Sequence, residues 1–162
     1  MHEEALGWSD LQALAADESL TIDRAEVSGE VYSCWIEGRR FDVPLADLVA
    51  AYWEHMAHHS DPDMLAFELV HDLAQEHRSG LVDAIRALAD AVSGDQRALA
   101  LLGAGVLEDS LRYCRQPPSP TLVDELDAAA RQHPDVRVAV QLMWWAEDDP
   151  NRERFERFGR LP

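Results

Sequence analysis

Three histidines fall within five residues, at His55, His58 and His59, and two carboxylates follow at Asp61 and Asp63. His55 and His59 are four apart, so on a helix they share a face and are spaced to ligate one metal ion. Glu54 precedes His55 instead of following it, so the His-Glu-x-x-His order of zinc proteases is not met. The next stretch supplies His71, Asp72 and His77. The plainer reading of the same residues is a polar helix end, because histidine in a last helical turn interacts well with the dipole.

His71-Asp72, within ELVHDLAQEH, resembles the central His-Asp pair of the HD-domain metal-dependent phosphohydrolases, which are all-helical. That resemblance implies an upstream histidine, His55 or His58, and a downstream aspartate, Asp109 or Asp124. The alternative metal set is then His55, His71, Asp72 and Asp109. The interval from His55 to His71 is short for that family, and the small residues that usually follow the pair are absent. Other chemistry finds little footing. Cys34 and Cys114 are the only cysteines and form no CxxC pair. There is no GxSxG, P-loop or GxGxxG, and Gly103-Ala104-Gly105 is too short for a dinucleotide loop. No catalytic residue is assigned, no cofactor is expected, and the chain is read as a non-enzyme.

Charge points elsewhere. The 162 residues carry 31 acids against 14 bases, a formal net charge of −17. All the bases are arginine, a pattern expected of a GC-rich bacterial genome. Such a charge repels nucleic acid and anionic membrane, and it speeds encounter with a basic protein. Residues 1–30 hold eight acids and one base, Arg24, whereas the C-terminal stretch carries Arg152, Arg154, Arg157 and Arg160. The N-terminus lacks the basic-then-apolar pattern of a signal peptide, and no run approaches the ~20 apolar residues of a membrane span. A cytoplasmic location is the expectation.

The elements that must position these residues are mostly helical. Ser9 is placed to cap a short helix containing Leu11, Leu14 and Ala15. Residues 31–43 read as a β-hairpin turning at Glu37-Gly38, and such a hairpin must dock on helices or gain a third strand. From Leu45 the period becomes helical. Leu45, Leu48, Val49, Tyr52 and Met56 share one face, and Ser60-Asp61-Pro62 offers a cap for the next helix. Further helices carry Leu65 to Leu73, Leu81 to Val92, and Leu99 to Leu102. Gly103-Ala104-Gly105 is expected to break the chain before a helix at Val106 to Cys114. Ser119-Pro120 opens another, and His133-Pro134 stops it. Residues 136–145 fit both a strand and a helix, and helix is chosen. The expected architecture is an acidic segment at 1–44 followed by a helical domain at 45–162, with antiparallel helix pairs stacked in a HEAT-like manner.

LADLVAAYWEH at 45–55, DPDMLAFELVHDLAQEH at 61–77 and ALALLGAGVLEDSLRY at 98–113 together resemble a bacterial family of small helical proteins of unknown function. That family shows Ala-Gly-Pro-Leu-Glu-Asp-Leu-Leu where this chain has Ala104-Gly105-Val106-Leu107-Glu108-Asp109-Ser110-Leu111. Val106 replaces the proline and Ser110 a leucine, and Phe67 stands where tryptophan is common. The likeness spans residues 45–145 and implies a helical fold without an activity. Glu108 and Asp109 fall in a first helical turn, where acids favour the dipole. Near the C-terminus, Trp144-Trp145 is followed by Glu147, Asp148 and Asp149. Two adjacent tryptophans cannot share one narrow helix stripe, so one should be exposed beside the acids. That combination suits an Arg- or Lys-rich partner. The expected partner-binding residues are therefore Glu108, Asp109, Trp145, Glu147, Asp148 and Asp149. The expected function is that of an immunity protein or antitoxin that neutralises a cognate basic toxin domain by direct binding; a helical scaffold is the alternative beside the HD-like hydrolase.

Overall fold

In the computed structural model, which describes residues 4–17, 19–59 and 63–160, the chain is mostly helical and carries one three-stranded antiparallel sheet. It divides into two compact units, Met1–Leu73 with Arg78–Leu81, and Ala74–His77 with Val82–Pro162. No helix among the described residues is long and apolar enough to cross a membrane.

The first unit begins with helix α1 (Trp8–Asp17), which buries Leu11. The helix starts one residue before the expected cap at Ser9. Gly7 O accepts from Leu11 N, and Asp10 Oδ2 accepts from Gly7 N at 2.8 Å, the backward arm of a capping box. Strands β1 (Arg24–Ser28), β2 (Val31–Ile36) and β3 (Arg39–Pro44) follow in that spatial order. The hairpin of β2 and β3 turns at Glu37 and Gly38, whose φ values of 51° and 76° are the left-handed pair a two-residue turn needs. It gains its third strand from β1, inside the stretch read from sequence as an acidic appendage.

Alternation along the strands sends Ala25, Val27, Tyr32, Cys34, Ile36, Phe41 and Val43 into the core. On the other face, Trp35 lies opposite both Arg24 and Arg40, whose guanidinium carbons stand 4.4 Å and 5.4 Å from its ring. Each sheet edge is bridged at one point. Leu6 bonds to β3 through Arg40 O and Asp42 N, and Ser79 O accepts from Val27 N on β1. Helix α2 (Leu45–His58) buries Leu45, Leu48, Val49 and Tyr52, and it ends at His59 in the left-handed conformation. The cap expected at Ser60-Asp61-Pro62 lies outside the described residues. Helix α3 runs from Met64 to Gln75.

Helix α4 (Leu81–Ala91) leads into the second unit. There α5 (Gln96–Leu102) is capped by Asp95, which accepts from Ala98 N. The expected break at Gly103-Ala104-Gly105 is absent. The chain instead stays helical through a π-type turn, Gly103–Leu107, into α6 (Glu108–Leu111). Gly103 keeps a helical φ, and its missing side chain admits a neighbour: a Cβ there would sit 2.4 Å from Ala139 O. The glycine is spent on helix approach, not on a turn. Helix α7 (Pro120–Gln132) starts at the expected Ser119-Pro120 cap, and α8 (Pro134–Gln141) follows it. Helix α8 packs against α5, the π turn, α7 and the C-terminal segment of α9 (Arg152–Glu156) and the tight turn Arg157–Arg160. Its buried residues, Val136, Ala139 and Val140, lie on one helical face, but the helix stops at Gln141 and burial then alternates through Met143, Trp144 and Trp145. Residues 136–145 thus carry two patterns in succession and show no single period.

Gly80 is the backbone position with least tolerance. Its φ is 81°, and a Cβ would stand 2.1 Å from Val27 O on β1. Gly29 has a similar φ of 61° but open space around it. Gly29→Ala should cost about 1–2 kcal/mol, the left-handed penalty alone. Gly80→Ala should cost more, by the roughly 1–3 kcal/mol of an overpacked site. Urea denaturation of both variants checks the order; equal losses would mean that Ser79 and β1 are not held together.

Candidate functional site

The histidine-rich stretch forms a helix end and an aromatic stack. His58 pairs with Glu54 at 3.0 Å on an exposed surface, and His59 terminates α2 by donating its N–H to His55 O. Phe67 packs between His55 and His71, with ring centroids 5.3 Å and 4.1 Å away. Asp72 is gripped by Arg78, which donates from Nε at 3.0 Å and from Nη2 at 3.1 Å and also reaches Ile22 O. A carboxylate held in that two-pronged way has its charge matched and one acceptor position on each oxygen engaged. Asp109 lies in the second unit and accepts from Gln75 Nε2 at 3.4 Å.

Among the described residues, the group of three side chains close enough to share an ion is a different one: Asp90, His133 and Asp135. Its hydrogen bonds have a structural purpose. His133 caps α8, its Nδ1 accepting from Val136 N, so Nε2 carries the proton and donates to Asp90 Oδ1 at 2.7 Å. Asp135 accepts from Ser93 Oγ at 2.6 Å and from Gly94 N at 3.3 Å. Metal ligation by Nε2 would move the proton to Nδ1, against the N–H that Nδ1 now caps. Both cysteines are poorly suited to nucleophilic work. Burial pushes the Cys34 thiol up to about 12, and burial also raises that of Cys114.

The residues around the tryptophan pair form a more definite arrangement. Helix α8 ends at Gln141, residues 143–146 belong to no helix or strand, and burial alternates along them: Met143 and Trp145 are buried and Trp144 is exposed. Trp145 is only 7% exposed and stacks on Phe155 at 5.5 Å with rings 6° from parallel. Trp144 is 65% exposed. The outward indole is thus on Trp144, not on the Trp145 expected from sequence.

Both polar groups of the Trp144 backbone are tied to α6 and the residue after it. Trp144 N donates to Glu108 Oε1 at 3.2 Å, and Trp144 O accepts from Arg112 Nη1 at 3.0 Å. Glu108 is therefore buried, at 8% exposure, and serves as a post for the segment instead of facing a partner. The dipole reading of Glu108 lapses too, because its N–H already bonds to Gly103 O through the π turn. The Arg112 guanidinium stands 4.6 Å from the Trp144 ring and 5.0 Å from the exposed ring of Tyr113, and Asp149 lies 3.7 Å from its Nε. Arg112 and Asp149 are both nearly buried. Glu147 and Asp148, by contrast, face solvent. Of the six expected residues, Glu147 and Asp148 are exposed three and four positions along the chain from the exposed Trp144. Glu108, Asp149 and Trp145 are packed into its support, and Asp109 accepts from Gln75. Arg112, Tyr113 and Trp144 were missed; the nearest sequence signal was the need for one exposed tryptophan.

The chain matches no protein-family model, no curated protein sequence and no solved structure.

Arg152, Arg154 and Arg157 of the C-terminal stretch are engaged within the second unit. Asp127, 3% exposed, accepts from Arg131 Nε at 2.7 Å, from Arg154 Nε at 2.5 Å and from Arg157 Nη2 at 2.7 and 2.6 Å. Arg154 also reaches Asp124 at 2.7 Å. Burial opposes ionisation of Asp127, but hydrogen bonds from the three arginines outweigh it and bring its pKa to about 2. A depressed carboxylate pKa stabilises the fold above its ordinary value and loses that contribution as pH falls through the folded value. Between pH 5 and 2 the protein should lose roughly 2–3 kcal/mol from this group. Asp127→Asn should be less stable at pH 7 by about 3–5 kcal/mol, and its stability should fall less over that acid range. Urea titrations at several pH values measure both. A second pair of variants tests the tryptophans: Trp145→Ala should cost about 3–5 kcal/mol, as for other buried aromatics, and Trp144→Ala only about 0.5–2 kcal/mol, the worth of its contact with Arg112.

Proposed function

We propose that this chain is a protein-binding protein for a basic partner, most concretely an immunity protein or antitoxin that blocks a cognate basic toxin domain. The observation that carries the reading is Trp144, exposed yet held by both of its backbone polar groups, with Tyr113 beside it and Glu147 and Asp148 in solvent nearby. Exposed aromatics in fixed positions make strong interface anchors, because little conformational freedom is lost on binding. The net charge of −17 supports the choice of sign, since it draws a basic domain in and keeps nucleic acid away. In this reading the helices serve as a HEAT-like stack of antiparallel pairs, a cytoplasmic scaffold that presents the surface. The resemblance of residues 45–145 to small bacterial helical proteins agrees with it. The HD-like hydrolase reading draws no comparable support, because Arg78 occupies the Asp72 carboxylate.

Calorimetry against purified basic domains encoded next to its gene tests the proposal. The expected result is one tight complex whose affinity falls at least tenfold between 50 and 300 mM salt, as exposed charge pairs are screened. Glu147→Gln with Asp148→Asn should slow association, and co-expression should suppress toxicity of the partner. Absence of binding to any such domain, or binding that ignores both substitutions and salt, would contradict it.

A further inference from the structure

The cation expected over the exposed tryptophan is already present, and it comes from the chain itself. The Arg112 guanidinium lies over the Trp144 ring at 4.6 Å, donates to Trp144 O, and is balanced by Asp149. With side-chain exposures of 11% for Arg112 and 10% for Asp149, this pair is part of the platform. The electron-rich character that makes an indole attract a cation is thereby committed on one face. A second cation on the outer face would meet a ring already polarised away from it and the like charge of Arg112 behind it. An apolar or aromatic side chain meets neither penalty and gains the full contact area of an indole that is 65% exposed. Tyr113, 57% exposed and packed on the same guanidinium, extends the apolar ground. The only exposed carboxylates of the adjoining segment, among the described residues, are Glu147 and Asp148, and they are free to take cations at the edge.

We infer that the partner docks a protruding apolar or aromatic residue on Trp144 and Tyr113, and that its basic residues surround this anchor and pair with Glu147 and Asp148. The inference rests on the reading of the chain as a binder of basic proteins. It divides the work: the anchor supplies residence time, and the surrounding charges supply rate and sign.

The test uses the full chain, isotope-labelled, titrated by NMR with four short peptides. Each carries lysines on both sides of a central Phe, Leu, Ala or Arg. The Phe and Leu peptides should bind at least tenfold more tightly than the Arg and Ala peptides and should shift the Trp144 indole N–H. Trp144→Ala should abolish that preference, and Arg112→Gln should raise affinity for the Arg peptide by freeing the ring, an effect that simple loss of structure would not give. An Arg peptide that binds as well as the Phe peptide would overturn the inference. If all four bind alike and shift only Glu147 and Asp148, the inference fails and the basic-partner reading stands. If none binds at low salt, both fail.

Discussion

The exposed surface of the second unit depends on two hydrogen bonds to one residue. Glu108 takes the Trp144 N–H and Arg112 gives to the Trp144 carbonyl. Without them residues 142–149 would be an ordinary loop, and a tryptophan on it would sample many positions. With them the indole is fixed while remaining in solvent. The two posts stand where they do because the chain stays helical from Gln96 to Leu111. That helical run lies close against α8 because Gly103 has no Cβ, which would stand 2.4 Å from the Ala139 carbonyl. A backbone requirement of one residue thus sets the position of a side chain forty residues away.

The charge of the chain is organised by the same logic of holding some groups and freeing others. The arginines at the C-terminal end of the sequence look at first like a basic patch. Two of them, Arg154 and Arg157, instead join Arg131 of α7 around Asp127, and Arg152 pairs with Glu156 at 2.9 Å. Arg112 is likewise committed to Asp149 and Trp144. With these arginines committed to carboxylates, Glu147 and Asp148 remain exposed in the segment that carries Trp144.

Legibility followed the range of the interactions. The β2–β3 hairpin was plain because its turn, Glu37-Gly38, and its alternation are local. Strand β1 was not, because Arg24, Glu26 and Ser28 alternate with residues as small as Ala25, and the segment's acids dominated its composition. The Ser119-Pro120 cap could be read directly, whereas Gly103 misled: a glycine admitted for close packing and one needed for a turn are the same letter. The tryptophan pair showed that one ring must face outward, but choosing between them required knowing where α8 stops and that Phe155 returns to cover Trp145. Glu108 and Arg112 as posts for Trp144 were invisible for the same reason, since more than thirty residues separate the partners.

Amide hydrogen exchange at Trp144 is the most direct test of this arrangement. A residue in an exposed, non-helical segment would ordinarily exchange at the rate of an unstructured chain. The Trp144 amide, bonded to a buried carboxylate, should exchange at least a hundredfold more slowly, and Glu108→Ala should return it to the fast rate while the amides of α8 stay protected. Fast exchange at Trp144 in the unaltered protein would mean that the indole is not held, and the surface described here would lose its anchor.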